Sequence, residues 1–235
     1  MENLSIEEII TDSLDRFKNC PDHENCANCK KSTCVSVVAI ADFPSQFGTF
    51  KIIGFVNNKD SKEHIAIVKG EIINKKGILT RVHSSCLTGD AFGSLRCDCG
   101  PQLETALSMI EKEGTGLVVY MQQEGRGIGL LNKLRAYALQ DDGYDTYDAN
   151  VILGFGPDPR DYDIGGEMIR KLGVTDIRLV TNNPEKVEQI SQFVTVSERV
   201  PLELPLSEFN EKYMETKKER FGHFLSTFSQ FKQED

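Results

Sequence analysis

The sequence predicts an α/β (α+β) fold, with an antiparallel, strand-rich N-terminal half followed by alternating helices and strands. Short β-branched segments succeed one another from Val35 to Val82, broken by Asn, Asp, Lys and Gly. Beyond Cys99 apolar strands alternate with amphipathic helices that end on glycines. The chain has 235 residues, 39% of them hydrophobic and 27% charged, which suffices for a sizeable core.

Taken in order, residues 4–18 read as an amphipathic helix, with Ser5 and Glu8 in capping-box register. Strands follow at 35–40, 48–55, 64–68 and 79–83, and Asn57 to Asp60 supplies a hairpin loop. Pro101 marks a helix start, Leu103, Ala106, Leu107 and Ile110 share one face, and Gly114 stops it. Gly116 to Met121 is a buried strand. A glycine-rich turn, Gly125 to Gly129, leads into a helix from Leu130 to Gln140, closed by Gly143. A helix from Asp163 to Leu172 ends at Gly173, and Ile177 to Val180 is a strand. Thr181 to Lys186 turns into a short helix, Thr195 to Val200 is a strand, and a charged helix runs from Ser207. No internal repeat or low-complexity linker is present.

The net charge of −9 argues against broad nucleic-acid binding, while leaving room for a local basic pocket for one small anion. No apolar run reaches membrane-spanning length and Met1 to Asp15 lacks a signal-peptide core, so a cytoplasmic protein without a membrane partner is expected. In that compartment seven cysteines point to metal binding before disulfides. Cys20, Cys26, Cys29 and Cys34 could hold a closed structural zinc or remain thiols.

The second cluster, Cys86, Cys97 and Cys99, carries more chemistry. Cys97 and Cys99 can put both sulfurs on one ion, and Cys86 can return as a third ligand. Three thiolates suit zinc, and a free fourth position is the layout of a catalytic site. Three buried cysteines, or a structural zinc closed by a fourth ligand such as His83, are the alternatives. Arg81 precedes this stretch at a strand end, where α/β sites gather.

The Gly125–Gly129 turn could pass for a dinucleotide fingerprint, but Glu124 beside it would repel a pyrophosphate. It reads better as a loop presenting Glu124 to a base edge and Arg126 to phosphate. The Gly- and Pro-rich segment from Leu153 to Tyr162 fixes a loop bearing Asp158 and Arg160. Thr181 and Lys186 flank a helix start that would suit a phosphate.

Five motifs together resemble the GTP cyclohydrolase II family. They are Arg81-Val-His-Ser-Ser-Cys-Leu-Thr-Gly-Asp90, Leu95-Arg-Cys-Asp-Cys-Gly100, Gln123-Glu-Gly-Arg-Gly-Ile-Gly-Leu130, Lys133-Leu-Arg-Ala-Tyr-Ala-Leu-Gln140 and Thr181-Asn-Asn-Pro-Glu-Lys186. The resemblance runs from about Phe47 to His223. It implies that GTP loses its imidazole C8 as formate and its pyrophosphate, giving a diamino-ribosylamino-pyrimidinone monophosphate, the first step of riboflavin biosynthesis. It implies zinc at Cys86, Cys97 and Cys99, magnesium with the triphosphate, and a homodimer. GTP-binding positions would be Arg81, Val82, His83, Ser84, Ser85, Gln102, Glu124, Gly125, Arg126, Thr146, Thr181 and Lys186. Asp158 would be a proton acceptor, Arg160 a nucleophile or an electrostatic clamp, and Tyr137 would complete ring opening.

The implied organisation is an N-terminal helix and Cys-rich extension over residues 1–43, one catalytic domain over 44–225 and a tail over 226–235. The short N-terminal segment leads to the expectation of a stand-alone enzyme, not one fused to a dihydroxybutanone-phosphate synthase. Gln122 stands where many family members carry arginine. The rival readings are a variant that stops at the formylated pyrimidine and a zinc- and nucleotide-binding regulator without turnover.

Overall fold

Seven strands pair in the order β1-β2-β3-β5-β4-β6-β7. They are β1 (Val35–Ser45), β2 (Gly48–Asn57), β3 (His64–Lys69), β4 (Ile78–Ser84), β5 (Gly116–Met121), β6 (Asp176–Val180) and β7 (Thr195–Val200). The computed structural model describes residues 33–156 and 158–226. The expected helix at 4–18 and the cysteines Cys20, Cys26 and Cys29 lie outside the described residues. Cys34 lies inside them, and its N–H donates to Asn58 Oδ1 at 2.7 Å.

The mixed α/β class holds, with one change in pairing. The pairs β1–β2, β2–β3 and β3–β5 are antiparallel, as the first half predicts. β4 departs from that half: it runs parallel to both β5 and β6, and β6 runs parallel to β7. The reason is the long crossover through the cysteine stretch, which returns the chain in the same direction beside β4. β4 is accordingly covered on both faces, with six of its seven residues buried, Thr80, Arg81 and His83 among them. β1 spans the boundary expected between residues 43 and 44 as one strand.

Among the described residues the helices are α1 (Leu87–Asp90), α2 (Cys99–Glu113), α3 (Leu130–Asp141), α4 (Thr146–Ile152), α5 (Asp163–Lys171), α6 (Pro184–Ile190) and α7 (Glu211–Glu219). Gly114 caps α2 in the left-handed conformation at φ 78°, as its glycine predicts. The sequence reading places no element between Gly143 and Leu153, yet α4 forms there. Its signal is Asp145, whose side chain accepts from the N–H of Asp148 at 2.7 Å. The C-terminal helix begins at Glu211, later than Ser207.

Two apolar layers cover the sheet. Alternate β5 residues Leu117, Val119 and Met121 face α5 through Ile164, Met168 and Ile169. Val118 faces the other way, against Leu107 and Ile110 of α2. Connections leaving β4 and β6 therefore depart to opposite faces. A crevice opens where they diverge, at the carboxyl ends of the parallel strands.

Candidate active site

The β4 end, Arg81 to Cys86, and the β6 end, Thr181 to Asn183, meet in that crevice. The sulfurs of Cys86, Cys97 and Cys99 all lie within 4.8 Å of one another. Cys86 Sγ is 3.7 Å from Cys97 Sγ. Tetrahedral zinc with Zn–S of about 2.3 Å would set thiolates about 3.8 Å apart, so the trio fits such an ion. His83 is not a fourth ligand here: its Nε2 faces the Asp90 carboxylate at 3.1 Å and its ring stacks on Tyr120.

Glycine makes room for the sulfurs. A Cβ at Gly89 would sit 2.9 Å from Cys97 Sγ and 3.2 Å from Cys86 Sγ. Gly89→Ala is expected to weaken zinc binding about tenfold or more and to cost about 1–3 kcal/mol of stability. Chelator competition and urea unfolding measure these, and unchanged zinc affinity would show that the sulfurs can spread freely.

Two side chains brace the first cysteine. Asp90 accepts from the Cys86 N–H at 3.0 Å and from the Tyr120 hydroxyl at 2.7 Å, besides facing His83. Lys133 Nζ donates to Cys86 Sγ at 3.0 Å, to Thr88 Oγ1 at 2.9 Å and to Glu124 Oε1 at 2.8 Å. The neighbouring thiols and then Lys133 favour thiolate at Cys86, holding its pKa far below the ordinary thiol value. Cys86 in turn pushes Cys97 up to about 11. Lys133 thus favours thiolate at the cluster, and a dication would draw off the remaining protons.

Glu124 is largely committed. Besides Lys133, it accepts from the N–H groups of Leu87 at 2.6 Å and Gly125 at 2.9 Å. A carboxylate offers about four lone-pair positions, so one is left for a ligand. Gly125 and Arg126 are both left-handed, at φ 61° and 60°. The arginine side chain is thereby turned toward the C-terminal segment, its guanidinium carbon 4.4 Å from the centre of the Phe221 ring. Gln122 next to this turn is exposed, with its N–H donating to His64 Nδ1 at 3.1 Å.

Two cavities adjoin at the thiols. One, of about 640 Å³, contains all three sulfurs with Ser85, Gly125, Lys133, Tyr137 and Thr146. The Tyr137 hydroxyl is 3.3 Å from Thr88 Oγ1, and burial holds its pKa above the ordinary phenol value. The other, of about 590 Å³, is lined by Arg81, Gln102, Asp158, Thr181, Lys186 and Lys217 among others. Ser84, Cys99, Arg126, Arg160 and Tyr213 line both.

The second cavity is cationic. Arg81 donates to the Val180 carbonyl at 2.9 Å and to Gln102 Oε1, and Gln102 donates to Asp98 Oδ2. Lys186 Nζ donates to the Val82 carbonyl at 2.7 Å, and burial followed by Arg81 and Arg160 pushes its pKa well down. Arg160 grips Asp158 with two N–H groups, Nε to Oδ1 at 2.7 Å and Nη2 to Oδ2. Burial opposes the Arg160 charge, but Tyr162 and Asp158 outweigh it and raise the pKa. Burial likewise opposes the Asp158 charge, and Arg160 overcomes it and holds the carboxyl below its ordinary value.

Every site residue expected from the sequence falls in or beside this crevice. Val82 contributes its carbonyl, and His83 contributes through Asp90. Sequence reasoning missed Asp90, Asp98, Lys133, Tyr213, Lys217 and His223 as contributors. Asp90, Asp98 and Lys133 sit inside the quoted motifs, which was their only signal.

The GTP cyclohydrolase II family profile matches residues 36–201. The riboflavin biosynthesis protein RibBA of Bacillus cereus is 54% identical over 195 residues, covering 83% of this chain and 49% of that protein. RibBA of Bacillus mycoides is 56% identical over 184 residues, covering 78% and 46% respectively. The chain therefore spans about half the length of these curated relatives. A solved two-domain 3,4-dihydroxy-2-butanone 4-phosphate synthase, RibBX from A. baumannii, aligns with a TM-score of 0.43 and 18% identity, over 74% of this chain and 42% of that one.

Proposed function

The chain belongs to the GTP cyclohydrolase II family, and from that membership we propose that it hydrolyses GTP at the imidazole ring. Formate and pyrophosphate leave, and the product is the diamino-ribosylamino-pyrimidinone monophosphate that begins riboflavin biosynthesis. The observation that carries this reading is the shared wall between the two cavities. Cys99 and Arg160 border both, so a base at the thiol end and a polyphosphate at the cationic end can belong to one molecule.

In this reading Cys86, Cys97 and Cys99 hold zinc, which when bound supplies Lewis acidity for hydrolysis. Glu124 uses its remaining lone pair on a guanine edge, with Lys133 fixing the carboxylate. Tyr137 stays protonated and can donate a proton where the ring opens. Arg81, Thr181 and Lys186 receive the triphosphate. The raised pKa of Arg160 and its paired hydrogen bonds to Asp158 support a guanidinium clamp over a nucleophile. The same reading makes the protein a cytoplasmic homodimer that takes GTP with magnesium.

Elemental zinc analysis beside formate and pyrophosphate release from GTP, on one purified sample, tests this. Both products with at least one zinc per chain are expected. A second zinc would assign one to Cys20, Cys26, Cys29 and Cys34. Zinc with neither product would overturn the reading, and an opened ring without formate would reduce it to the formylated variant.

A further inference from the structure

One wall of the cationic cavity lies beyond the family match. The profile ends at residue 201, whereas Tyr213, Lys217, Phe221 and His223 close the cavity over Arg81 and Lys186. The segment is anchored where it matters. Lys217 Nζ donates to Asp98 Oδ1 at 2.6 Å, and the Phe224 N–H donates to the Asn182 carbonyl at 2.9 Å. Asp98 sits between two of the cysteines and also accepts from Gln102, which accepts from Arg81. A continuous polar chain thus joins the C-terminal helix to the β4 end.

This wall adds donors where donors are unspent. An ammonium carries three protons, and Asp98 engages one of those on Lys217. Arg81 Nε and Arg126 Nη1 are buried without a hydrogen-bond partner among the described residues. Arg81, Arg126, Arg160, Lys186 and Lys217 line the cavity, against the Asp158 carboxylate in its wall and the Asp98 carboxylate paired with Lys217. Burial, then Lys217, Arg160, Lys186 and Arg126, hold His223 down to about 2, so its ring is neutral and keeps an N–H to donate. Buried arginines and lysines with donors to spare, outnumbering the carboxylates beside them, call for an anion with several acceptor oxygens.

We propose that the segment from Tyr213 to His223 completes the polyphosphate subsite, with Lys217 and His223 donating directly to the phosphate chain. The proposal rests on the GTP reading for the identity of the whole substrate, but the binding chemistry is that of a polyphosphate anion alone.

Calorimetric titration of the zinc-loaded full chain with inorganic triphosphate and, separately, with guanosine tests it. Lys217→Met and His223→Leu, which remove the two donors, are each expected to weaken triphosphate binding, the lysine variant about tenfold or more, and to leave guanosine affinity within twofold. Lys217→Arg should restore most of the loss. Losing Lys217 leaves Asp98 without its ion pair, so if that variant fails to fold, His223→Leu, which breaks no ion pair, decides the matter. Triphosphate affinity unchanged in the variants would overturn the proposal, as would triphosphate and guanosine weakening alike. The two readings fail separately. Wild-type formate release with unaffected variants sinks only the role given to the Tyr213–His223 segment, whereas weakened triphosphate binding in a chain that releases no formate sinks only the substrate.

Discussion

Cys97→Ser is expected to lose zinc and GTP ring opening together. A serine hydroxyl is a hard, protonated oxygen where the site offers a soft thiolate. Structural zinc sites bind with about 10–16 kcal/mol, so removing one of three protein ligands costs roughly 4 kcal/mol, about a thousandfold in affinity. Cys97 packs among Cys86, Cys99 and Gly89, outside both apolar layers of the sheet. The fold should therefore persist, with an unchanged far-UV spectrum and zinc below about a tenth of an equivalent after dialysis. Full activity in a zinc-free variant would refute the metal assignment.

Arg160→Ala is expected to abolish turnover while zinc stays bound. The guanidinium touches none of the sulfurs, yet it stands where the two cavities meet. Its loss removes one of the two guanidinium groups that line both cavities and leaves Asp158 buried without its hydrogen-bonded partner. A fall of about a thousandfold in kcat/KM is the scale for removing a preorganised charge of this type. Lysine should not restore it, because an ammonium cannot make the paired Nε and Nη2 contacts. An unchanged rate would reduce Arg160 to a structural residue. The pair also has a pH signature. Asp158 is depressed in the folded state, so its contribution to stability is fully present above the unfolded carboxyl pKa of about 3.9 and is lost as pH falls through the lower folded value. The alanine variant should lack that acid-side loss, which urea midpoints at falling pH would register.

Local chemistry made much of the chain legible. Glycines after apolar helices marked where α2, α3 and α5 stop, and three closely spaced cysteines marked the metal-fitting cluster. What stayed hidden depends on distance along the chain. The residues of β4 mark a strand but do not name its neighbours, and these proved to be β5 and β6. Lys133 reads as an ordinary helical lysine until the fold brings it to Cys86. Lys217 and His223 lie in a charged stretch resembling a solvated helix, and only the sheet's crevice gives them a common target. α4 was within reach, since Asp145 and Asp148 have cap spacing.

Arg126 sets the interests of the fold against those of the site. A left-handed backbone suits glycine, and a side-chain-bearing residue there costs roughly 1–2 kcal/mol. Gly125 before it already has that conformation without penalty. Selection for thermal stability alone would place a second glycine at this position, and Arg126→Gly should raise the melting temperature. The same change would remove the guanidinium that both cavities share with the C-terminal segment. A stabilised lineage screened only for heat resistance should therefore drift toward glycine here, and an engineer seeking a hardier catalyst should leave this strained position alone.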